Sequence, residues 1–107
     1  MRYLVVLMAG MSIHNAQADT GSEYQRTAKA KELVQTRLKN PDSAKFKDLH
    51  LDTFSNGGII VCGEVDSKSE NGRYTGYRKF YSTGVTARFK EDEPKSFDDV
   101  YTMICSK

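Results

Sequence analysis

Cysteine is scarce in this chain, no charge of one sign dominates it, and no apolar run is long. Only Cys62 and Cys105 occur among the 107 residues. Zinc sites draw their ligands from close-spaced Cys/His pairs such as C-x2-C. Here the cysteines stand isolated, with His50 the one histidine beyond the first eighteen residues, so no metal is expected. A Ser-His-Asp or Cys-His arrangement would have to use that same His50, which falls on the polar side of a strand pattern. Acidic pairs such as Asp48/Asp52 are common by chance among 14 carboxylates and are weak evidence for acid–base work. Gly72 and Gly76 lack the Lys-Ser/Thr that completes a phosphate-binding loop, so no cofactor is expected. The 16 Lys+Arg nearly balance 14 Asp+Glu, and the net charge of +2 is far below a nucleic-acid binder's field. These absences argue against an enzyme and against a nucleic-acid partner.

The longest apolar run, residues 3–13, is about 11 residues, well short of the about 20 that a spanning helix needs. It follows Arg2 and precedes Ala16-Gln17-Ala18, where small residues stand at the positions a signal peptidase reads. The pattern predicts a cleaved signal peptide over 1–18 and a mature chain of 89 residues. A retained membrane anchor and a buried helix are the alternatives for this segment. The expected location is periplasmic or secreted, with no stable membrane anchor after cleavage.

Residues 19–107 have the size of one domain with a modest core. Its ten aromatics are more than a disordered chain carries. Two cysteines in a short exported chain imply one disulfide, Cys62 to Cys105, with a metal site or free thiols as alternatives. Closing a loop of about 44 residues stabilises a small domain by roughly 4 kcal/mol in the chain-entropy account.

Periodicity predicts an α+β fold: an N-terminal helix, an antiparallel meander of three or four strands, and a short C-terminal helix. Over 19–39, Ala30, Leu33, Val34 and Leu38 form one apolar stripe; Thr20 with Glu23 makes a capping box, and Asn40-Pro41 ends the helix. Pro41 to Ala44 reads as a single turn. From Phe46 to Phe54, Leu49, Leu51 and Thr53 alternate with Asp48, His50 and Asp52, the period of a half-buried strand. Asn56-Gly57-Gly58 and Ser69-Glu70-Asn71-Gly72 are turn signals flanking a strand over 59–65. Further strands are read over Tyr74–Thr83 and Val85–Phe89, followed by an acidic surface loop. Ser96 caps a helix whose Phe97, Val100, Tyr101 and Ile104 share a side; an edge strand over 100–105 is the alternative. One face of the sheet is expected to carry both helices while the other stays partly wet.

The segment from Gly72 to Tyr81 interleaves four aromatics with three cations. Strict alternation puts Tyr74, Gly76, Arg78 and Phe80 on one side, and Arg73, Thr75, Tyr77, Lys79 and Tyr81 on the other. Arg73, Tyr77, Lys79 and Tyr81 are the candidate binding face, since Tyr and Arg are enriched at interface hot spots. The structural alternative has the inner rings filling the core and the outer rings covering lysine stems. Gly76 in mid-strand marks a bulge or a close backbone approach. Arg73, Arg78 and Arg88 are candidate contacts for an anion.

Pro41-x-Ser43-Ala44-x-Phe46, Val61-Cys62-Gly63-x-Val65 and Gly72-x-Tyr74-x-Gly76-Tyr77-x-x-Phe80 together resemble a group of small exported bacterial and phage-encoded proteins of uncharacterised function. The resemblance covers 33–81. The group carries Asn where Asp66 stands and Gly where Arg73 stands. It implies shared structure at the Cys62 strand and the Tyr-Gly hairpin, and no activity. The expected role is a non-enzymatic envelope protein binding another macromolecule, of the inhibitor, immunity or phage-exclusion type. A binder of a small anionic, glycan or lipid head-group ligand is the alternative, and a hydrolase would require an essential His50.

Overall fold

A computed structural model of the protein describes residues 22–54 and 56–105. The signal segment, its cleavage point and the Thr20 cap lie outside the described residues. Helix α1 (22–35) leads through a 3-10 turn, Pro41–Ser43, to strands β1 (Lys45–Thr53), β2 (Ile59–Asp66), β3 (Arg78–Ser82) and β4 (Ala87–Arg88). A second 3-10 turn, Lys90–Asp92, precedes helix α2 (Phe97–Cys105). The four strands form one antiparallel sheet in the order β1-β2-β3-β4, a meander. Among the described residues no helix is long and apolar enough to cross a membrane.

Helix α1 is built from strong helix formers, Ala28 to Leu33, and buries Ala30 and Val34, while the turn after it buries Leu38. It ends at residue 35, short of Lys39. The last turn tightens into i to i−3 bonds, with the Arg37 and Leu38 N–H groups donating to Val34 and Gln35 carbonyls at 2.9 and 3.1 Å. Pro41 demands a non-helical predecessor, and Asn40 supplies it at φ −123°. The C-terminal segment is the helix predicted from Ser96, not the edge strand. Ser96 precedes it, and the Val100 N–H donates to the Ser96 carbonyl at 2.9 Å.

The two helices cover opposite faces of the sheet, which corrects the expectation of a shared face. On one face Val34 of α1 and Leu38 of the turn after it pack on Val65, Phe80, Ala87 and Phe89, with Phe46 and Leu49 alongside. On the other, Phe97 and Cys105 of α2 pack with Ile60, Cys62 and Tyr81, and Val100, Tyr101 and Ile104 close around them. The Cys62–Cys105 disulfide fixes that side: the sulfurs are 2.05 Å apart and the Cα atoms 5.9 Å. Residues 61 and 65 face α1, so Cys62 must face away from it. The tether therefore draws α2 to the far face. Nine helical residues span about 13 Å, against about 26 Å for the eight residues of β2. One end of that second face is left open.

Candidate functional site

Two departures from regular strand geometry shape the open end. Lys47 pairs with Glu64 but His50 pairs with Cys62, so Asp48 and Leu49 together oppose the single residue Gly63. This β-bulge reverses the side-chain parity of β1. Asp48 takes φ 55°, a conformation Asp tolerates better than most residues. Leu49 swings over Gly63, where an added Cβ would stand 2.6 Å from its Cδ2. Phe46, Leu49 and Leu51 thereby line the α1 face, while Lys45, Lys47, His50 and Asp52 share the other.

The second departure is at Gly76, whose φ of +108° is closed to L side chains, although nothing lies within 4 Å of where a Cβ would be. The glycine is there for its backbone conformation, as a bulge requires, and its N–H donates to Asp66 Oδ1 at 2.9 Å. Pairing between Lys68 and Tyr74 is an isolated bridge, and β3 begins only at Arg78. Tyr74 and Tyr77 consequently emerge on the same side, against the alternation expected of a continuous strand.

That side is a lysine–tyrosine face. Lys45 Nζ lies 4.3 Å from the centroid of the Tyr74 ring and Lys47 Nζ 4.3 Å from that of Tyr77. Lys68 approaches Tyr74 at 5.6 Å, and Lys79 approaches Tyr101 of α2 at 5.3 Å. Contacts of this kind contribute about 0.5–1 kcal/mol each when exposed. Glu64 stands directly opposite both Lys47 and Lys79 in the sheet. Tyr74 and Tyr77 are 39% and 41% exposed, large aromatic surfaces held at the rim of an open sheet. Tyr74 is anchored, its hydroxyl donating to the Ser43 carbonyl at 3.0 Å. The turn bearing Ser43 braces the 67–74 hairpin: the Lys68 N–H donates to Ser43 Oγ at 2.8 Å, and Asn40 Nδ2 donates to the Lys68 and Ser69 carbonyls.

Of the residues singled out in the sequence, Tyr77 and Lys79 belong to this face and Arg73 is exposed on the adjoining turn. Tyr81 does not belong to it. It is 7% exposed beneath α2, stacked on Phe97 with 5.7 Å between centroids, and donates to Glu93 Oε1 at 2.7 Å. Burial first, then the bond to Glu93, pushes its hydroxyl up to about 12. The three arginines do not converge. Arg78 pairs with Val65, which faces α1; it bonds Glu91 at 2.8 Å and covers the Phe89 ring at 4.1 Å. Arg88 pairs with Tyr81 and so points to the opposite side. Lys45, Lys47, Lys68 and Tyr101 were missed, because only the bulge and the placement of α2 bring them to Tyr77 and Lys79.

Of the two residues expected on a wet face, Asp52 is buried beside α2 while the His50 side chain stays 41% exposed, as its polar position predicts. His50 Nδ1 bonds the Asp48 carbonyl at 2.9 Å and Nε2 bonds the Cys105 carbonyl at 3.0 Å. Carbonyls only accept, so both ring nitrogens must carry hydrogen and the imidazolium is the form that fits. Burial opposes the charge as the largest single influence, yet the two carbonyls and the Asp52 and Asp48 carboxylates outweigh it and raise the His50 pKa. Asp52 Oδ2 sits 3.1 Å from Nε2, in a side chain only 5% exposed. It accepts no hydrogen bond, since the Nε2 bond goes to Cys105.

No protein family, curated protein or solved structure matches the chain.

Proposed function

We propose that the protein is an exported, non-enzymatic binding module that meets another macromolecule of the cell envelope through the lysine–tyrosine face. The observation that carries this reading is the open end of the second sheet face. There Tyr74 and Tyr77 present rings 39% and 41% exposed beside Lys45, Lys47, Lys68 and Lys79. Tyrosine offers large, rigid contact area with little entropy to lose and is over-represented at hot spots. Lysines around it steer an acidic partner and set orientation more than affinity. The partner class is therefore a protein with an acidic, aromatic-accepting surface, as for an inhibitor, immunity or phage-exclusion protein. The disulfide supports an oxidising compartment.

The test is capture from envelope extract by the oxidised protein, beside two triple variants. Lys47→Ala/Tyr77→Ala/Lys79→Ala removes the face; Tyr24→Ala/Arg26→Ala/Lys29→Ala removes exposed side chains of α1. A partner retained by the wild type and the helix variant, lost from the face variant and weakened by salt, is the expected result. Capture that survives loss of the face defeats the reading.

A further inference from the structure

The covered end of the second face holds a constellation that the binding role leaves unused. His50 and Asp52 are two residues apart on one side of β1, Cys62 stands directly across from His50 on β2, and Cys105 ends α2. One donor atom each from His50, Asp52 and Cys62 lies within 4.8 Å of the others, and the Cys105 sulfur is bonded to that of Cys62 at 2.05 Å. Asp52 Oδ2 is buried in this cluster without a hydrogen bond. The charge it meets in the oxidised protein is the His50 imidazolium, whose Nε2 lies 3.1 Å away but hydrogen-bonds the Cys105 carbonyl, so the oxygen keeps a lone pair free for a second cation. We propose that reduction of the Cys62–Cys105 disulfide converts the cluster into a four-coordinate zinc site, with Cys62 Sγ, Cys105 Sγ, His50 Nε2 and Asp52 Oδ2 as ligands.

The chemistry of the donors fits. Two thiolates, an imidazole and a carboxylate are ligand types that tetrahedral zinc accepts, and bond lengths of about 2.0–2.3 Å set donors about 3.3–3.8 Å apart. The imidazole and carboxylate donors are already 3.1 Å apart and Cys62 Sγ lies within 4.8 Å of its two neighbours, so reduction must part the sulfurs and bring Cys105 Sγ, which stands outside that group, into the shell. His50 Nδ1–H bonded to the Asp48 carbonyl is the outer contact that fixes a metal-binding histidine's ring and tautomer. In the oxidised protein the sulfurs carry no charge, and Nε2 is engaged with Cys105. A dithiol reductant changes this: the Sγ–Sγ bond takes up two electrons and two protons, giving two thiols, while the dithiol closes to its own disulfide. Zinc binding then releases the two thiol protons and the Nε2 proton to solvent. The protein would thus exchange one staple between β2 and α2 for another, according to the thiol poise around it.

Cobalt(II) reports such a site directly. The protein is reduced with excess dithiol, freed of it by gel filtration without oxygen, and titrated with Co2+ alone, followed by Zn2+. The expected result is one equivalent bound with thiolate-to-cobalt charge-transfer and tetrahedral d–d bands, both erased by Zn2+. The oxidised protein should show no charge-transfer band. Asp52→Asn and His50→Ala should each weaken Co2+ binding by about tenfold or more and alter the d–d bands. Far-UV circular dichroism of the oxidised variants checks that they still fold. Absence of the bands in the reduced wild type overturns the proposal. Equal binding by wild type and both variants also overturns it, since the metal would then be held by two thiols of an open chain.

Discussion

Replacing Tyr81 by Phe should cost stability at neutral pH and relieve a loss at alkaline pH. The ring remains, stacked on Phe97, so the change isolates the hydroxyl that donates to Glu93 Oε1 at 2.7 Å. A hydrogen bond to a charged acceptor contributes about 1.5–3 kcal/mol, so the variant should be about 2 kcal/mol less stable near pH 7. The same surroundings raise the hydroxyl pKa from 10.0 to about 12, by burial first and then by Glu93. The fold favours the protonated phenol. Its contribution is fully present below the unfolded pKa of 10.0 and is lost as pH rises through about 12. Two pKa units correspond to about 2.7 kcal/mol, enough to cancel the neutral-pH advantage of the wild type. Urea denaturation of both oxidised proteins at pH values from 7 to 12 measures this. The difference between them should fall from about 2 kcal/mol to zero or below. Taking the difference removes Tyr101, which burial and the Glu64, Asp48 and Asp52 carboxylates also raise. A difference that stays constant across the range refutes the assignment of the hydroxyl.

Gly76→Ala and Gly63→Ala should fail for separate reasons. The first strains a backbone at φ +108° by about 1–3 kcal/mol and displaces Tyr77. The second drives a Cβ to 2.6 Å from Leu49 Cδ2 and overpacks the core by about 1–3 kcal/mol. Adding Leu49→Ala should recover part of the loss in the Gly63 variant alone, which a double-mutant cycle measures. Reducing the disulfide in metal-free buffer should lower stability by roughly 4 kcal/mol, seen as an earlier denaturation midpoint with a steeper slope, because the uncrosslinked chain unfolds to a more expanded state. Asp92→Asn should flatten the acid limb of the stability curve. The Arg37 bond at 2.8 Å and the Phe89 N–H hold the Asp92 carboxyl below its usual pKa, so its contribution is present above about pH 4 and lost as pH falls.

The stripe of Ala30, Val34 and Leu38, the turn at Asn56-Gly57, the stop before Pro41 and the helix after Ser96 were all legible, because each is decided by neighbours within a few residues. The face on which α2 sits was not read, though one clue was present: Cys62 alternates with Val61 and Val65, so a tether from Cys105 had to reach the side opposite α1. The bulge left a fainter trace. Phe46 is even-numbered while Leu49 and Leu51 are odd, and one apolar face cannot hold all three without an extra residue between. Reading alternation only from Leu49 onward concealed it. The same strict alternation sent Tyr81 outward and separated Tyr74 from Tyr77, whereas Gly76 resets the count and Glu93 with Phe97 buries Tyr81. Asp52 looked solvated because polarity was taken for exposure, whereas its side chain is 5% exposed; His50 beside it does stay 41% exposed.

Lysine footprinting tests the central claim most directly and needs no prior identity for the partner. The oxidised protein is acetylated briefly with and without envelope extract, and each lysine's modification is read by mass spectrometry. The account predicts protection of Lys45, Lys47, Lys68 and Lys79, while Lys29 and Lys31 on α1 and Lys95 before α2 react as in the free protein. Protection of the α1 lysines with Lys47 and Lys79 left reactive would contradict it and move the binding surface to the other side of the sheet.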